Sequence, residues 1–208
     1  MKYYLSSFKL GGEKEIEKLK KLIPSNKNTA YIVNALDFAD GENWQKKFTE
    51  FDIKQLKELG LKVERFDLRK YFDNQQQLEK DISKYGVIWV SGGNVFVLRQ
   101  AFKLSGLDFV LKDLSQKDEL LYGGYSAGIC ILAPNLRGLE LVDDPNKQIY
   151  QQETKTIWTG LGLVNYALVP HYQSNHPESK LIDKVVSYYK QNNIFYKTLR
   201  DGEVIILA

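Results

Sequence analysis

The sequence predicts an α/β protein, a three-layer sandwich with a mainly parallel central sheet and helices on both faces. Three observations carry this expectation. Strand-length apolar runs alternate with amphipathic helical segments from the N-terminus through Ala133. Gly86–Val90 is apolar throughout, the pattern of a strand buried on both faces. Two of the apolar runs, ending at Ser91-Gly92-Gly93-Asn94 and at Gly123–Gly128, pass through glycines directly into a helical pattern, as a strand does when a crossover helix follows it.

The elements follow in order. Lys2–Ser6 reads as the first strand, ending at Phe8–Gly12. Ile16, Leu19, Leu22 and Ile23 then recur at helical spacing among lysines and glutamates, up to Pro24. Thr29–Asn34 is a second strand. Asn43–Leu59 is a long helix with Phe48, Phe51, Leu56 and Leu59 expected inward and Gly60 closing it. Lys62–Asp67 is a third strand and Gln75–Lys84 a third helix. After Gly86–Val90 comes a helix carrying Val97, Leu98, Ala101 and Phe102, then Phe109–Leu114, then the strand that ends on Leu120–Gly128 and leads into Ile129–Ala133. From Gly138 the pattern loosens. Leu139–Val142, Thr156–Trp158 and Leu161–Val164 read as short strands or loops around an Asp143-Asp144-Pro145 turn. Ala167–Pro170 is strand-like and ends on His171. Pro177–Asn192 is the last helix, with Leu181, Ile182, Val185, Val186 and Tyr189 inward. Phe195–Leu199, an Asp201-Gly202 turn and Glu203–Ala208 read as a closing hairpin.

Composition narrows the class. A chain of 208 residues with 43% hydrophobic and 26% charged residues suits one globular domain, residues 1–208. A net charge of +3 with dispersed lysines and no basic arm argues against a nucleic-acid partner. No run approaches a membrane span, and the N-terminus enters a strand with no signal-peptide core, so a cytoplasmic protein with no membrane association is expected, as a monomer or homodimer. The one cysteine, Cys130, cannot form an internal disulfide and sits among apolar residues as a structural thiol. Two histidines five residues apart and a single cysteine make no credible metal set, and no cofactor is expected. Trp44, Trp89 and Trp158 are read as core or pocket wall.

The chemistry centres on Gly124-Tyr125-Ser126-Ala127-Gly128. Gly-x-Ser-x-Gly between a strand and a helix is the nucleophile-elbow pattern, in which a strained turn lifts a serine hydroxyl clear of a parallel sheet. Alone the pattern also fits a plain glycine-rich turn. A serine needs a base, and the chain has two histidines. His171 follows a strand and is the candidate; His176, ahead of the last helix, suits a surface or capping role. Imidazole in turn needs an orienting group. Asp143 and Asp144 give the chain order Ser, Asp, His, with Glu140 a weaker option and an acid-free dyad also open. Oxyanion donors are expected from the N–H of Ala127 and from the Gly92-Gly93 segment before Asn94, where glycine lets backbone approach a substrate.

These residues resemble the dipeptidase E (peptidase E, aspartyl dipeptidase) family of serine peptidases. The resemblance rests on Gly92-Gly93-Asn94 followed by Val95-Phe96, on Gly124–Gly128, and on Val169-Pro170-His171-Tyr172, and it spans most of the chain in order. It implies a class I glutamine-amidotransferase-like fold with Ser126 as nucleophile, His171 as base, Gly93 and Ala127 as oxyanion donors, Gly92 and Asn94 near a short peptide substrate, and an acid best matched by Asp143 or Asp144. Family members selective for N-terminal aspartate carry an arginine in the helix after the histidine. Here that helix holds Lys180, Lys184 and Lys190 and no arginine. The expected activity is a serine exopeptidase or dipeptidase. An α/β-hydrolase esterase and a non-catalytic module on the same fold stand as alternatives, although 45 positions between Ser126 and His171 are few for the esterase fold.

Overall fold

Alternation of side chains along the strands builds the layers. The computed structural model describes residues 1–39, 42–116, 119–153 and 155–207; the side chains of residues 42–44, Trp44 among them, lie outside that set, as does Ala208. Six strands, β1 (Lys2–Ser6), β2 (Asn28–Ile32), β3 (Lys62–Arg65), β4 (Val87–Val90), β5 (Leu121–Tyr125) and β8 (Val204–Leu207), form one sheet in the order β3-β2-β4-β5-β1-β8. All neighbours are parallel except β8, which runs antiparallel to β1 at the edge. Tyr4, Tyr31, Val87, Trp89 and Leu121 pack on one face with α1 (Glu13–Leu22) and α2 (Glu42–Glu58). Tyr3, Leu5, Ala30, Ile32, Ile88, Val90 and Tyr122 face the other, against α3 (Gln75–Ile82), α4 (Val95–Ser105), α5 (Leu107–Leu114), α6 (Ala127–Cys130) and α7 (Ser179–Gln191). Adjacent residues thus feed opposite cores, as a period of two requires. The expected three-layer sandwich is the observed architecture.

Two expectations need correction. Phe51, placed inward from sequence, is 55% exposed. The buried stripe of α2 instead runs through Thr49, Asp52 and Leu56, one helical step round. Asp52 is tolerated there because Lys9 Nζ and the hydroxyls of Tyr31 and Tyr125 all donate to it at 2.6–2.7 Å. The closing segment is also no hairpin. β7 (Tyr196–Thr198) pairs in parallel with β6 (Ala167–Val169) in a separate two-stranded sheet, while β8 crosses to β1. The Asp201-Gly202 turn therefore bridges two sheets, and this places Asp201 at the site described next.

Among its described residues, the loosely patterned region between Gly138 and β6 holds a 3₁₀ turn at Leu139–Leu141 and otherwise irregular chain, tied down by contacts such as the T-shaped packing of Trp158 on Phe96. Trp89 is core, 1% exposed. Among the described residues no helix is long and apolar enough to cross a membrane.

Candidate active site

Ser126 is the one residue between Leu121 and Ala133 that is not buried. Its backbone sits at φ 51°, ψ −121°, a conformation that costs a non-glycine residue about 1–3 kcal/mol and persists only where the surroundings impose it. The surroundings are specific. Ile129 and Cys130 N–H both donate to the Ser126 carbonyl at 3.0 Å, starting α6. The flanking glycines are required by close approach: a Cβ at Gly124 or Gly128 would lie 2.6 or 2.3 Å from the Val90 carbonyl oxygen on β4. The Gly-x-Ser-x-Gly spacing thus lets α6 settle against β4 while the serine side chain is left outside.

The β4 turn lies alongside. Val90 is in register with Gly124, and a Cβ on Gly92 would meet Ser126 Cβ at 3.0 Å. Gly93 adopts φ +140°, and a side chain there would run into the Ala35 carbonyl at 2.3 Å. Asn94, expected near the substrate, is turned away from it. Its Oδ1 accepts from Phe96 and Val97 N–H, capping α4, and its Nδ2 donates to the Asp144 carbonyl. With its amide N–H bound to Ala35 O at 2.8 Å, Asn94 builds the turn and does not face the cavity.

His171 follows β6, is 1% exposed and holds φ 60°. Its backbone N–H donates to Ser7 Oγ at 2.8 Å, and that hydroxyl donates to Asp201 Oδ1 at 2.8 Å. The same carboxylate oxygen lies 2.7 Å from His171 Nδ1. The orienting carboxylate is therefore Asp201; neither Asp143 nor Asp144 takes that place. The cause is register. Val169 on β6 pairs with Thr198 on β7, so the residues just beyond both strand ends, His171 and Asp201, emerge side by side. Burial and the neighbouring His176 hold the His171 pKa below its ordinary value, with Asp201 pulling the other way.

The Asp143-Asp144 turn does something different. Asp144 is exposed and caps its own turn through Asn146 N–H, and Glu140 likewise accepts from Gly138 N–H. Asp143 points inward, where its Oδ2 accepts from Val95 N–H at 2.8 Å at the start of α4. Burial pushes its pKa up to about 7, with the Val95 N–H pulling down and Glu178 pushing up. His176 is more than the surface cap expected. Its ring stacks on His171 at 3.7 Å with planes 8° apart, and its Nδ1 accepts from Glu178 N–H. The ligating atoms of His171, His176 and Glu178 lie within 4.8 Å of one another. Imidazole lone pairs lie in the ring planes, however, and two parallel planes do not converge on one tetrahedral ion. Cys130 is buried, bonds to the Leu168 carbonyl, and has its pKa raised by burial, as befits a structural thiol.

Ser126, His171, His176, Asp143, Glu178, Gly92 and Gly93 share one cavity of about 230 Å³ with Phe8, Leu36, Phe38, Phe48 and Tyr125. It opens at the carboxyl ends of the parallel strands, where α/β sheets bind ligands. A larger cavity, about 470 Å³, lies at the opposite strand ends around Pro24, Gly86 and Leu120, and its described lining has no nucleophile-and-base pair. Chemistry selects the smaller one. Sequence reasoning missed Asp201, Ser7, His176 and Glu178. The Asp201-Gly202 dipeptide carries only a turn signal, and no local pattern marks the others.

Comparison with known proteins identifies the chain's family. The model of peptidase family S51 matches residues 5–208. An uncharacterized peptidase of Listeria monocytogenes is 31% identical over 150 residues, covering 72% of this chain and 69% of the relative. The crystal structure of a candidate peptidase E protein from L. monocytogenes EGD-e superposes with a TM-score of 0.75 at 24% identity, covering 99% of this chain and 97% of that one. A peptidase from an acI-B1 actinobacterium follows at a TM-score of 0.68 and 16% identity, covering 99% and 82%. The shared architecture is the class I glutamine-amidotransferase-like sandwich.

Proposed function

From the premise that this chain belongs to peptidase family S51, the peptidase E family, and is a peptidase, we propose that it is a serine exopeptidase that hydrolyses short peptides. One observation carries the reading: a serine on a strained strand-to-helix turn opens into the same cavity as a buried histidine whose far nitrogen is held by a carboxylate. With Nδ1–H donating to Asp201, neutral His171 presents an unprotonated Nε2. In this reading Nε2 takes the Ser126 proton as Oγ attacks the scissile carbonyl, and Asp201 stabilises the imidazolium that forms. The Gly93 and Ala127 N–H groups receive the oxyanion, an interaction for which each donor is worth about 3 kcal/mol in comparable sites. The imidazolium then protonates the leaving amine. Water, activated by the same histidine, frees the acyl group and regenerates Ser126. The lowered His171 pKa keeps the base form populated at neutral pH.

Aspartyl selectivity would need a cation at the side-chain subsite. Lys180, Lys184 and Lys190 are all exposed, and none of them lines the cavity. The test is dipeptide hydrolysis together with fluorophosphonate labelling, comparing the wild type with Ser126→Ala. Labelling at Ser126 and peptide cleavage, both lost in a folded variant, are expected. Cleavage retained by Ser126→Ala would refute the reading, and turnover confined to p-nitrophenyl esters would favour an esterase.

A further inference from the structure

The cavity's lining is of two chemically unlike kinds. Phe8, Leu36, Phe38, Phe48 and Tyr125 supply an apolar, largely aromatic part, with Phe8 edge-on to both histidines; Asp143 and Glu178 supply an acidic part. No lysine or arginine is among the described residues that line it, and residues 40–44 carry no basic side chain in the sequence.

Two cations near it, Lys9 and Arg69, are already committed. Lys9 Nζ lies 4.3 Å from the Phe48 ring centroid and 5.4 Å from that of Tyr125. It is held at 2.6 Å by Asp52, whose carboxylate is 3% exposed and also takes the Tyr31 and Tyr125 hydroxyls. Withdrawing Lys9 to serve a substrate would strand a buried carboxylate. Arg69 is bound to Asp67, with Asp37, next to Phe38, 3.7 Å away. An acidic substrate side chain would therefore enter a space with two carboxylates, aromatic faces and no lysine or arginine among its described lining residues. A cation meets the opposite situation. Asp143 uses one oxygen for the Val95 N–H, and a carboxylate has lone pairs to spare beyond one such bond. Glu178 stands beside it on the same cavity.

Building on the peptidase reading, we propose that the site selects peptides with a free N-terminal ammonium and a neutral, apolar first side chain. Asp143 and Glu178 take the ammonium, and the aromatic lining of Phe8, Phe38, Phe48 and Tyr125 takes the side chain. The upward shift of the Asp143 pKa fits such a role, because an arriving ammonium relieves the like-charge and burial penalties on ionising it. Requiring a charged amine limits the enzyme to chain ends, and the apolar lining turns its preference away from N-terminal aspartate.

The experiment measures kcat/KM for Phe-Ala, Leu-Ala, Asp-Ala and N-acetyl-Phe-Ala with the wild type, Ser126→Ala and Glu178→Gln, alongside fluorophosphonate labelling. Phe-Ala and Leu-Ala should exceed Asp-Ala by roughly tenfold or more, and acetylation should lower kcat/KM by about a hundredfold, in the range set by leaving a buried polar group unpaired. Glu178, with 41% of its side chain exposed, can be changed with little risk to folding. Glu178→Gln should raise KM for Phe-Ala and narrow the gap to its acetylated form. Faster cleavage of Asp-Ala, equal cleavage of the acetylated peptide, or an unchanged gap in Glu178→Gln would overturn the inference while serine-dependent turnover left the peptidase reading standing. Absence of both labelling and any peptide cleavage would overturn the two together.

Discussion

Asp143→Asn tests the electrostatics of the cavity directly. In the folded protein the Asp143 pKa is raised from 3.8 to about 7 by burial, with Glu178 adding to the shift and the Val95 N–H opposing it. Tyr125, Cys130, His171, His176 and Glu178 are the titratable groups among the described residues that share its surroundings. Between those two pH values the unfolded chain has lost the proton while the native state keeps it, so stability falls as pH rises. The slope is about 1.4 kcal/mol per pH unit, and the accumulated loss by neutral pH is about 4 kcal/mol. Asparagine cannot ionise, and its carbonyl can still accept from Val95. Relative to wild type, the variant should therefore gain about 3 kcal/mol of stability between pH 5 and pH 8. For a chain of this size that is a widening of the Tm gap by roughly 6–12 °C. Thermal unfolding of both proteins at the two pH values measures it. A gap that does not change with pH, or a variant that loses ground at pH 8, would show that Asp143 ionises without penalty. The electrostatic picture of the acidic lining would then fail.

Three further outcomes follow from the same geometry. Asp201→Asn should lower kcat by about two to four orders of magnitude with little change in KM, because it removes the partner that fixes the His171 tautomer; Asp144→Asn should leave kcat near wild type, and steady-state kinetics on one good dipeptide would separate them. Gly128→Ala should destabilise the protein by about 1–3 kcal/mol or more in denaturant titration, since its Cβ would fall 2.3 Å from the Val90 carbonyl oxygen. The acid limb of kcat/KM should lie below pH 6.5, as burial and His176 depress the His171 pKa; a limb above that value would mean that Asp201 dominates.

Much of this arrangement was legible in local pattern. The Gly124–Gly128 motif marks the turn because both glycines answer steric demands from β4, and such demands leave a trace in residue type. Gly92-Gly93 is legible for the same reason. His171 could be singled out because it follows a strand-like run. The acid could not. Asp143 and Asp144 satisfy the chain order Ser, Asp, His, and nothing local to Asp201 distinguishes it from any Asp-Gly turn. Asn94 misled in the other direction: a polar residue after two glycines suggests substrate contact, and here it serves as the cap of α4.

The sequence by itself determined the alternation of strands and helices, the two glycine turns and the positions of the candidate nucleophile Ser126 and candidate base His171, because each depends on residues within a turn or two of one another. Tertiary structure alone decided which carboxylate meets His171, since β6 and β7 pair in parallel across the whole of α7. It also decided that Ser7, just beyond the first strand, ties His171 to Asp201. The chemical character of the cavity belongs to the same level. Its apolar and acidic lining comes from segments far apart in the chain, and whether Lys9 counts as a free cation depends on Asp52, a partner supplied by the α2 helix.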